Sequence, residues 1–352
     1  MKLIEKVGLR LLYRTDPERA HDLAIRALNL GLTSKPGVYT STRLAQNLAG
    51  LEFPNPVGLA AGFDKNAQAI APLLRSGFGF IEVGAATPKP QDGNQKPRLF
   101  RLNEDYASIN RFGFNNAGMQ IISERLALRP PVGIVGLNLG ANKDSSYHAV
   151  DFIKVLETCG KYIDFATVNV SSPNTEKLRD LQGEKALTSL LAGVMRTRDA
   201  LEKQIPIFLK IAPDLTNEEI VQIAQVARKT RIDAIIATNT TVDRTGLKSE
   251  YRSQKGGLSG KPLLERSTQV LAKLAYELDG SIPLIGVGGI DSAQSAYEKI
   301  RAGASAVQLY TALVFHGLSL AYDIAEELDQ ILENNGFSHI SQAVGTGIRD
   351  YL

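Results

Sequence analysis

The sequence has a single cysteine and no tryptophan among its 352 residues. One cysteine, Cys159, can form neither an intramolecular disulfide nor a cysteine-based zinc site, so we expect a reducing compartment. An excess of charge is missing as well, because 40 Lys and Arg residues are set against 37 Asp and Glu residues, for a net charge of +3. This balance argues against a protein that binds nucleic acid through bulk positive charge, and we expect no nucleic-acid partner.

Long apolar stretches are also absent from the sequence. No uninterrupted run reaches the roughly 18 residues that a membrane-spanning helix needs. The N-terminal segment does not have the pattern of a secretory signal, because Glu5, Lys6 and Arg10 interrupt its apolar residues. Hydrophobic residues make up 43% and charged residues 22% of the chain, which is typical of globular proteins. We therefore expect an intracellular protein with one hydrophobic core.

The first forty residues are predicted to form two amphipathic helices. Residues 2–14 place an apolar face beside a basic stripe: Ile4, Val7, Leu11 and Leu12 on the face, Lys2, Lys6, Arg10 and Arg14 in the stripe. A second helix should begin at Asp16 and Pro17 and end near Gly31. The residues predicted to be buried on it are Ala20, Leu23, Ala24 and Leu28. Such a hairpin either packs on the remaining protein or lies at a membrane interface, and the residues leave both interpretations open.

Eight short apolar runs recur from residue 57 onward, and helical patterns separate most of them. The runs cover residues 57–65, 80–88, 132–140, 165–174, 207–213, 234–241, 284–291 and 306–313. Continuous apolar strands that alternate with helices indicate a parallel sheet covered on its outside. Eight such units predict an α/β protein with a closed (β/α)8 TIM barrel. A doubly wound open sheet fits less well, because no G-x-G-x-x-G loop follows the first run.

Polar residues accumulate where these runs end. In a barrel all the carboxyl ends of the strands meet at one mouth, where the active sites of this fold lie. The long insertion after the second run carries NRFGFNN (110–116), which should cover the mouth and add more amides. One polar residue after a strand is usually a cap or a turn former, but eight of them indicate a site. They are Lys65, Asn138, Asn169, Ser172, Asn174, Lys210, Thr238 and Asn239.

The ends of the last two predicted strands carry a further candidate site. The glycine-rich segment from Gly286 to Ile290 follows strand seven, and strand eight ends in Gln308 to Thr311. In this fold the loops after strands seven and eight form the usual phosphate site, because free backbone N–H groups point at the anion. A second cluster, GGLSGKP (256–262), precedes a predicted helix and could supply more donors. The position of these loops favours a phosphate-bearing cofactor.

Several longer motifs resemble those of one family, dihydroorotate dehydrogenase, and within it the membrane-associated, quinone-reducing class 2. The motifs are AAGFDKN (60–66), TPKPQDGNQKPRLFRL (87–102), INRFGFNN (109–116), NVSSPNTEKLR (169–179), LKIAPD (209–214), ATNTT (237–241), GGLSGKP (256–262), GVGGI (286–290) and QLYTAL (308–313). The resemblance runs in register over nearly the whole chain. It implies an FMN-binding barrel over residues 41–352, preceded by a helical pair over residues 1–40. The implied activity is oxidation of dihydroorotate to orotate in pyrimidine biosynthesis, with a quinone as the final electron acceptor.

The resemblance also implies two sets of ligand contacts. FMN would be held by Ala61, Gly62, Phe63, Asp64, Lys65, Ala85, Asn138, Asn169, Lys210, Thr238, Gly260, Gly289, Tyr310 and Thr311. Orotate would be held by Lys65, Asn110, Arg111, Phe112, Gly113, Phe114, Asn169, Asn174, Asn239 and Thr240. The residue types suit these ligands, because asparagine presents a donor and an acceptor in one plane to a flat ring of carbonyl and N–H groups. Lys65 would neutralise the carboxylate of orotate, and Lys210 would stabilise negative charge that develops on the flavin.

By the same resemblance Ser172 is the catalytic base, which takes the C5 proton of dihydroorotate, with Thr175 as a candidate relay. Class 1 relatives have cysteine at this position, so the serine favours class 2. His21 and Arg101 match positions that line a quinone tunnel formed by the N-terminal helices. The implied protein is a monomer without a metal ion, bound peripherally through those helices to the cytoplasmic face of the inner membrane.

Three positions depart from the family pattern. Ala85 stands where threonine or serine is usual, Ala141 where lysine is common, and Lys177 where glycine is frequent. Two other functions are compatible with the motifs: a flavin barrel of another specificity, such as a class 1 or pyrimidine-reducing relative, and a Schiff-base aldolase that uses Lys210. Ser172 and the hairpin argue against the first of these. A flavin spectrum would argue against the second.

Overall fold

Eight parallel strands close into a barrel in this computed structural model, which describes residues 2–33, 36–174 and 178–352. The strands, in chain order, are β1 (Gln46–Leu48), β2 (Leu51–Phe53), β3 (Val57–Leu59), β4 (Phe80–Ala86), β5 (Leu99–Leu102), β6 (Ala107–Asn110), β7 (Ile134–Leu139), β8 (Phe165–Asn169), β9 (Ile207–Ile211), β10 (Ala234–Ala237), β11 (Gly257–Gly260), β12 (Leu284–Val287) and β13 (Ala304–Leu309). The barrel order is β3-β4-β7-β8-β9-β10-β12-β13, and β13 pairs with β3. Each barrel strand coincides with one of the eight predicted runs, which confirms the barrel.

The α-helices are α1 (Lys2–Leu12), α2 (Pro17–Asn29), α3 (Ile70–Leu73), α4 (Met119–Ala127), α5 (His148–Cys159), α6 (Glu184–Asp199), α7 (Asn217–Thr230), α8 (Leu264–Leu278), α9 (Ala293–Arg301), α10 (Thr311–His316) and α11 (Leu320–Asn334). Several begin at clear signals in the sequence. A capping box formed by Thr216 and Glu219 starts α7. Asp16 accepts hydrogen bonds from the backbone of Glu18 and Arg19 at the start of α2, as predicted.

Aromatic rings fill the amino-terminal half of the barrel. Phe165 and Phe208 stack with centroids 4.7 Å apart, and Phe80 lies 6.2 Å from Phe165. The β1–β2 hairpin adds Phe53, whose ring meets Phe80 at 4.6 Å. The neighbouring strand leaves room for these rings, since a Cβ on Gly136 would lie 2.1 Å from the ring of Phe165. This packing closes one end of the barrel, so the open end is the one formed by the carboxyl ends of the strands.

A three-stranded antiparallel sheet of β5, β6 and β11 lies over the open end. Two of its strands come from the insertion after β4, and the third comes from the loop after β10. The register pairs Asn110 with Leu99 on one side and with Gly257 on the other. The insertion therefore covers the mouth as predicted, but its β-structure and the contribution of the GGLSGKP segment to it were not predicted.

The N-terminal hairpin docks against this cover and the barrel. Glu18 on α2 forms an ion pair with Arg98 at 2.7 Å, and Glu5 on α1 accepts a hydrogen bond from the backbone of Ser319 at 3.1 Å. The side chains before Glu5 lie outside the described part of the chain. The prediction that Leu23 is buried was wrong, because α2 turns Ile25 and Leu28 toward the core and leaves Leu23 45% exposed. Within the described ranges, no helix combines the length and the hydropathy needed to cross a bilayer.

Candidate active site

One cavity of about 370 Å³ connects the carboxyl ends of the barrel strands with the N-terminal hairpin. Its walls include α1 and α2 on the outer side and the strand ends on the inner side. The sheet formed by β5, β6 and β11 contributes Asn110 and Gly260. The cavity is therefore a single space that is lined by both parts of the chain.

The inner wall carries a cluster of asparagine side chains. The Nδ2 atom of Asn169 donates to Oδ1 of Asn138 at 2.9 Å, and Nδ2 of Asn239 donates to Oδ1 of Asn169 at 3.2 Å. Across the cavity, Asn174 donates to Asn110 at 3.4 Å. These residues belong to four segments: β7, β8 with its following loop, the loop after β10, and β6 of the covering sheet. The barrel brings the first three together because the ends of its strands converge. The cluster offers paired donors and acceptors to a planar polar ring.

Two lysines lie in the cavity wall. Burial lowers the pKa of Lys210, which extends from β9, and the charge of Glu82 partly offsets that effect. Burial also lowers the pKa of Lys65 to about 8, although Glu18, Asp22 and Asp64 act in the opposite direction. The ammonium group of Lys65 lies 4.5 Å from the centre of the Phe112 ring. Both lysines are placed to meet negative charge on a ligand.

Ser172 lies directly after the end of β8 and is 7% exposed. Its Oγ atom accepts a hydrogen bond from the backbone of Asn174 at 3.3 Å, and its side chain borders the cavity. Ser172 thus lies between Asn169 and Asn174 in the sequence, and all three side chains border the same cavity. Thr175, the candidate relay, and Lys177, one of the departures from the family pattern, lie outside the described residues.

The glycine loop after β12 packs tightly on the beginning of α8. A Cβ atom on Gly289 would lie 2.4 Å from the backbone of Leu264, and the φ angle of Gly289 is +81°. Thr311, at the start of α10, borders the same cavity and donates to Ser259 at 2.8 Å. A glycine loop and a helix start on one cavity can both present backbone N–H groups to a phosphate. Together with the amides and Lys210 at the other end of the cavity, these residues fit a flavin mononucleotide.

The hairpin side of the cavity is aromatic. The Nδ1 atom of His21, on α2, lies 3.4 Å from the hydroxyl oxygen of Tyr310. The centres of the His21 and Phe63 rings are 5.4 Å apart. Burial lowers the pKa of His21 to about 3, with a further decrease from the charge of Lys65, so the imidazole is neutral at physiological pH. Arg101 lies over the ring of Tyr13 at 4.8 Å, and its buried Nε atom meets no hydrogen-bond partner among the described residues. This part of the cavity suits an apolar ring that also offers an acceptor.

The family model for dihydroorotate dehydrogenase matches residues 43–332. The chain belongs to the dihydroorotate dehydrogenase family. The dihydroorotate dehydrogenase (quinone) of Cereibacter sphaeroides (strain KD131 / KCTC 12085) is 59% identical over 353 residues, which cover 100% of both chains. The corresponding protein of Agrobacterium fabrum (strain C58 / ATCC 33970) is 48% identical, over 96% of this chain and 94% of that one.

Solved structures of the family have the same architecture. The crystal structure of Eimeria tenella DHODH in complex with ferulenol superimposes with a TM-score of 0.92 and 38% identity, covering 97% of this chain and 99% of that chain. The expected fold, the expected family and the resemblance to its quinone-dependent class are therefore confirmed.

Most residues that the resemblance to dihydroorotate dehydrogenase implicated border the cavity. Those of the FMN set are Ala61, Gly62, Phe63, Lys65, Ala85, Asn138, Asn169, Lys210, Thr238, Gly260, Gly289, Tyr310 and Thr311. Those of the orotate set are Lys65, Asn110, Phe112, Gly113, Phe114, Asn169, Asn174, Asn239 and Thr240. Ser172, His21 and Arg101 border it as well. No ligand contact follows from this placement alone, and the individual roles stay predictions.

Two implicated residues point elsewhere. The carboxylate of Asp64 is buried beneath the loop, where it accepts hydrogen bonds from the backbone of Gln68 and Ala69 at 2.8 and 2.7 Å. Arg111 turns away from the cavity and donates to the side chain of Gln254 and the carbonyl of Pro97. Both residues thus shape loops around the site. Ala141 is fully buried in the hydrophobic core, so the lysine common at this position has no counterpart at the cavity.

The sequence reasoning missed several polar residues of the site. Ser108, Ser259 and Gln308 border the cavity, and Glu82 is fully buried beneath it. Glu82 had a signal in the sequence, because it is the only charged residue in the apolar run FIEVGAA (80–86). Phe80 and Glu82 share the same face of β4, which points into the barrel. A charge on the inward face of a buried strand requires a partner.

Proposed function

We propose that this cavity holds FMN and dihydroorotate together and admits a quinone from the hairpin side. The reaction is the oxidation of dihydroorotate to orotate in pyrimidine biosynthesis, the activity of the family to which the chain belongs. One observation carries the proposal: a single cavity extends from the asparagine cluster to the hairpin. One bound flavin can therefore meet the substrate at one end and the electron acceptor at the other.

The residues present fit FMN at both of its ends. The loop at Gly289 and the start of α10 at Thr311 supply backbone donors for the phosphate. Lys210 and Asn138 lie on the inward faces of β9 and β7, where a flavin ring would contact them. When bound, FMN supplies the electron acceptor for the substrate. The ammonium group of Lys210 stabilises negative charge at that end of the cavity.

Dihydroorotate is held by the amide cluster and by Lys65. The side chains of Asn110, Asn174 and Asn239 offer both donors and acceptors to the carbonyl and N–H groups of the pyrimidine ring. Lys65 provides the positive charge for the substrate carboxylate, since its pKa of about 8 leaves it protonated at neutral pH. A ring bound in this way lies next to Ser172.

Ser172 then acts as the general base. Its Oγ atom takes the proton from C5 of dihydroorotate and releases its own proton along a relay that ends in solvent. The hydrogen bond from the backbone of Asn174 holds this oxygen in place and supports the growth of negative charge on it. The proposed relay through Thr175 lies outside the described residues.

The hairpin brings the quinone from a membrane surface. Val7 and Leu11 on α1 are 50% and 61% exposed, and Leu23 on α2 is 45% exposed. Exposed apolar side chains on two helices with a basic stripe are typical of interfacial membrane contact. The quinone would pass between these helices to His21 and Arg101. We propose that the protein works as one chain, bound peripherally at the cytoplasmic face of the inner membrane.

Anaerobic addition of dihydroorotate to the purified protein tests this function. The yellow flavin absorbance should bleach, and it should recover when a quinone is added without oxygen. Recovery with NAD⁺ or fumarate in place of quinone would point to a flavin barrel of the other class. A colourless protein that traps a carbonyl substrate after borohydride treatment would instead support the aldolase that uses Lys210.

A further inference from the structure

Glu82 is a fully buried carboxylate in the centre of the barrel, one layer above the phenylalanine rings. Its Oε1 atom accepts from Nδ2 of Asn138 at 2.6 Å, and its Oε2 atom accepts from Nε2 of Gln308 at 2.7 Å. Neither the family resemblance nor the proposed mechanism gives this residue a role. A buried charge in an apolar barrel is costly, so its partners indicate what it does there.

The hydrogen bond to Asn138 is the first in a chain of amide side chains. Asn138 donates to Glu82 and accepts from Asn169 at 2.9 Å. Asn169 in turn accepts from Nδ2 of Asn239 at 3.2 Å and from the hydroxyl of Ser171 at 2.9 Å. Every amide in this chain therefore donates toward Glu82. The chain joins β4, β7, β8 and the loop after β10, and it passes next to Ser172.

The direction of the chain follows from the chemistry of its end. An ionised carboxylate has only acceptors, so Asn138 must turn its NH₂ group toward Glu82. Its oxygen is then available only to the NH₂ group of Asn169, and the oxygen of Asn169 is left to Asn239 and Ser171. From the other end, backbone N–H groups set the same order: that of Ser171 donates to Oδ1 of Asn169 at 3.3 Å, and that of Thr240 donates to Oδ1 of Asn239 at 2.7 Å. Glu82 does the same for Asn138, whose amide could otherwise be turned round.

We propose that Glu82 is a positioning residue that fixes the direction of Asn138, the first amide of the Asn138–Asn169–Asn239 chain. Asn138 then accepts from Asn169, and the remaining N–H groups of Asn138 and Asn169 face the oxygen atoms of the bound pyrimidine rings. The inference rests on the function proposed above for the same cavity. This role accounts for an anionic side chain beneath a site that binds anions. Because Glu82 accepts hydrogen bonds from the amides above it, the ligand meets oriented N–H donors and not the carboxylate itself. Lys210, which lies on the same inner wall, provides the compensating positive charge.

Two substitutions of equal length separate this role from packing. Glu82→Met removes both acceptors and keeps the shape of the side chain. Glu82→Gln keeps one acceptor for Asn138. Gln308 can then turn its oxygen toward the new NH₂ group, since that oxygen meets no partner within the described part of the chain. If Glu82 only filled space, the apolar variant would bind orotate as well as wild type, because Met has a similar volume.

The readouts are the orotate dissociation constant, taken from the change in the flavin spectrum and by calorimetry, and the midpoint of thermal unfolding. In Glu82→Met the amide of Asn138 loses the partner that sets its direction. Where it turns round, its NH₂ group faces the NH₂ group of Asn169, so orotate affinity should fall about 10- to 100-fold. The unfolding midpoint should fall too, because the buried N–H groups of Asn138 and Gln308 lose their acceptor. Orotate affinity is therefore compared at a temperature at which every variant is folded. Glu82→Gln should bind orotate within about threefold of wild type.

A second arm covers the possibility that Glu82→Met does not hold FMN. Asn138→Asp places two carboxylates against each other and should weaken FMN binding, measured by flavin fluorescence with the apoprotein. In the double variant Glu82→Gln/Asn138→Asp, the carboxylate is at position 138 and the amide at position 82. Gln at 82 can then donate to Asp at 138 and accept from Gln308, so every hydrogen bond is restored. The double variant should therefore bind FMN more tightly than Asn138→Asp alone. If the losses in FMN affinity of the two single variants simply add in the double variant, the proposal is overturned.

Orotate binding by Glu82→Met within about threefold of wild type, or equal losses in Glu82→Met and Glu82→Gln, would also overturn it. Failure of the wild-type protein to bind orotate would instead overturn the proposed function. The two failures are therefore distinguishable, because the role of Glu82 is measured only as a difference between variants.

Discussion

Arg179 donates through its Nε atom to the carbonyl oxygen of Ser171, the residue before the proposed base, at 3.1 Å. Its other nitrogens reach Asp214 at 3.0 Å and the carbonyl of Thr240 at 3.0 Å. Arg179 lies just beyond the loop that begins at Ser172, so its side chain connects the two ends of that loop. The same guanidinium therefore positions the loop of the proposed base against the loop after β10, which we propose holds the substrate.

We expect Arg179→Lys to slow flavin reduction by dihydroorotate about 10- to 100-fold, because one ammonium group cannot replace three hydrogen bonds in different directions. FMN content should not change. Anaerobic stopped-flow bleaching measures the effect. Arg198→Lys is the matched control, since Arg198 also forms a partly buried ion pair, with Asp233 at 3.3 Å, but lies on the outer helix α6. Equal rates for Arg179→Lys and wild type would remove the arginine from the positioning of the base.

Ser172→Ala should leave folding, FMN binding and orotate binding intact, because it removes one oxygen from a loop whose amides and lysine remain. Proton abstraction should fail, and a positioned base contributes roughly 10²- to 10⁴-fold. Flavin bleaching at saturating dihydroorotate should slow by that factor. Ser172→Cys should recover part of the rate as the pH rises, since a free thiol ionises near about 8.5. Reoxidation of the reduced enzyme by quinone serves as the control and should not change.

Orotate binding should depend on pH through Lys65. Burial lowers the pKa of Lys65 to about 8, so the ammonium form is lost as the pH rises through that value. The affinity for orotate should therefore be constant at lower pH and should fall by up to about tenfold per pH unit above about 8. Spectral titrations from about pH 6.5 to 9.5 test this expectation. Lys65→Met should bind weakly at every pH, and a wild-type affinity that stays constant throughout would mean that another cation meets the carboxylate.

Membrane contact should depend on the exposed apolar residues of the hairpin. Leu11→Glu together with Leu23→Glu should weaken binding to liposomes at least about tenfold, because each buried leucine contributes about 1.5–3 kcal/mol. Reduction of a long-tailed quinone should slow, whereas flavin bleaching by dihydroorotate should continue at the wild-type rate. Leu128→Glu is the control, since Leu128 is 86% exposed but follows α4 on the barrel itself. Equal liposome binding by both variants would show that the hairpin has only a packing role.

The sequence by itself determined the framework of this protein. All eight barrel strands, the cap at Asp16 and the breaks at glycine were predictable, because strand runs, caps and turns depend on neighbouring residues. The site motifs were predictable as well, since a barrel brings the ends of its strands to one mouth whatever else the chain does.

Only the tertiary structure decided where individual side chains point. Leu23 was expected in the core and is exposed, because the docking of α2 on the barrel set which face is buried. Asp64 and Arg111 were expected at the ligands, but their side chains bond to nearby loops. The carboxylate of Asp64 accepts from the backbone of Ala69, and the guanidinium of Arg111 donates to the carbonyl of Pro97. The sheet of β5, β6 and β11 and the amide chain that ends at Glu82 join segments far apart in sequence. Such contacts depend on packing between distant elements, which no local pattern of residues contains.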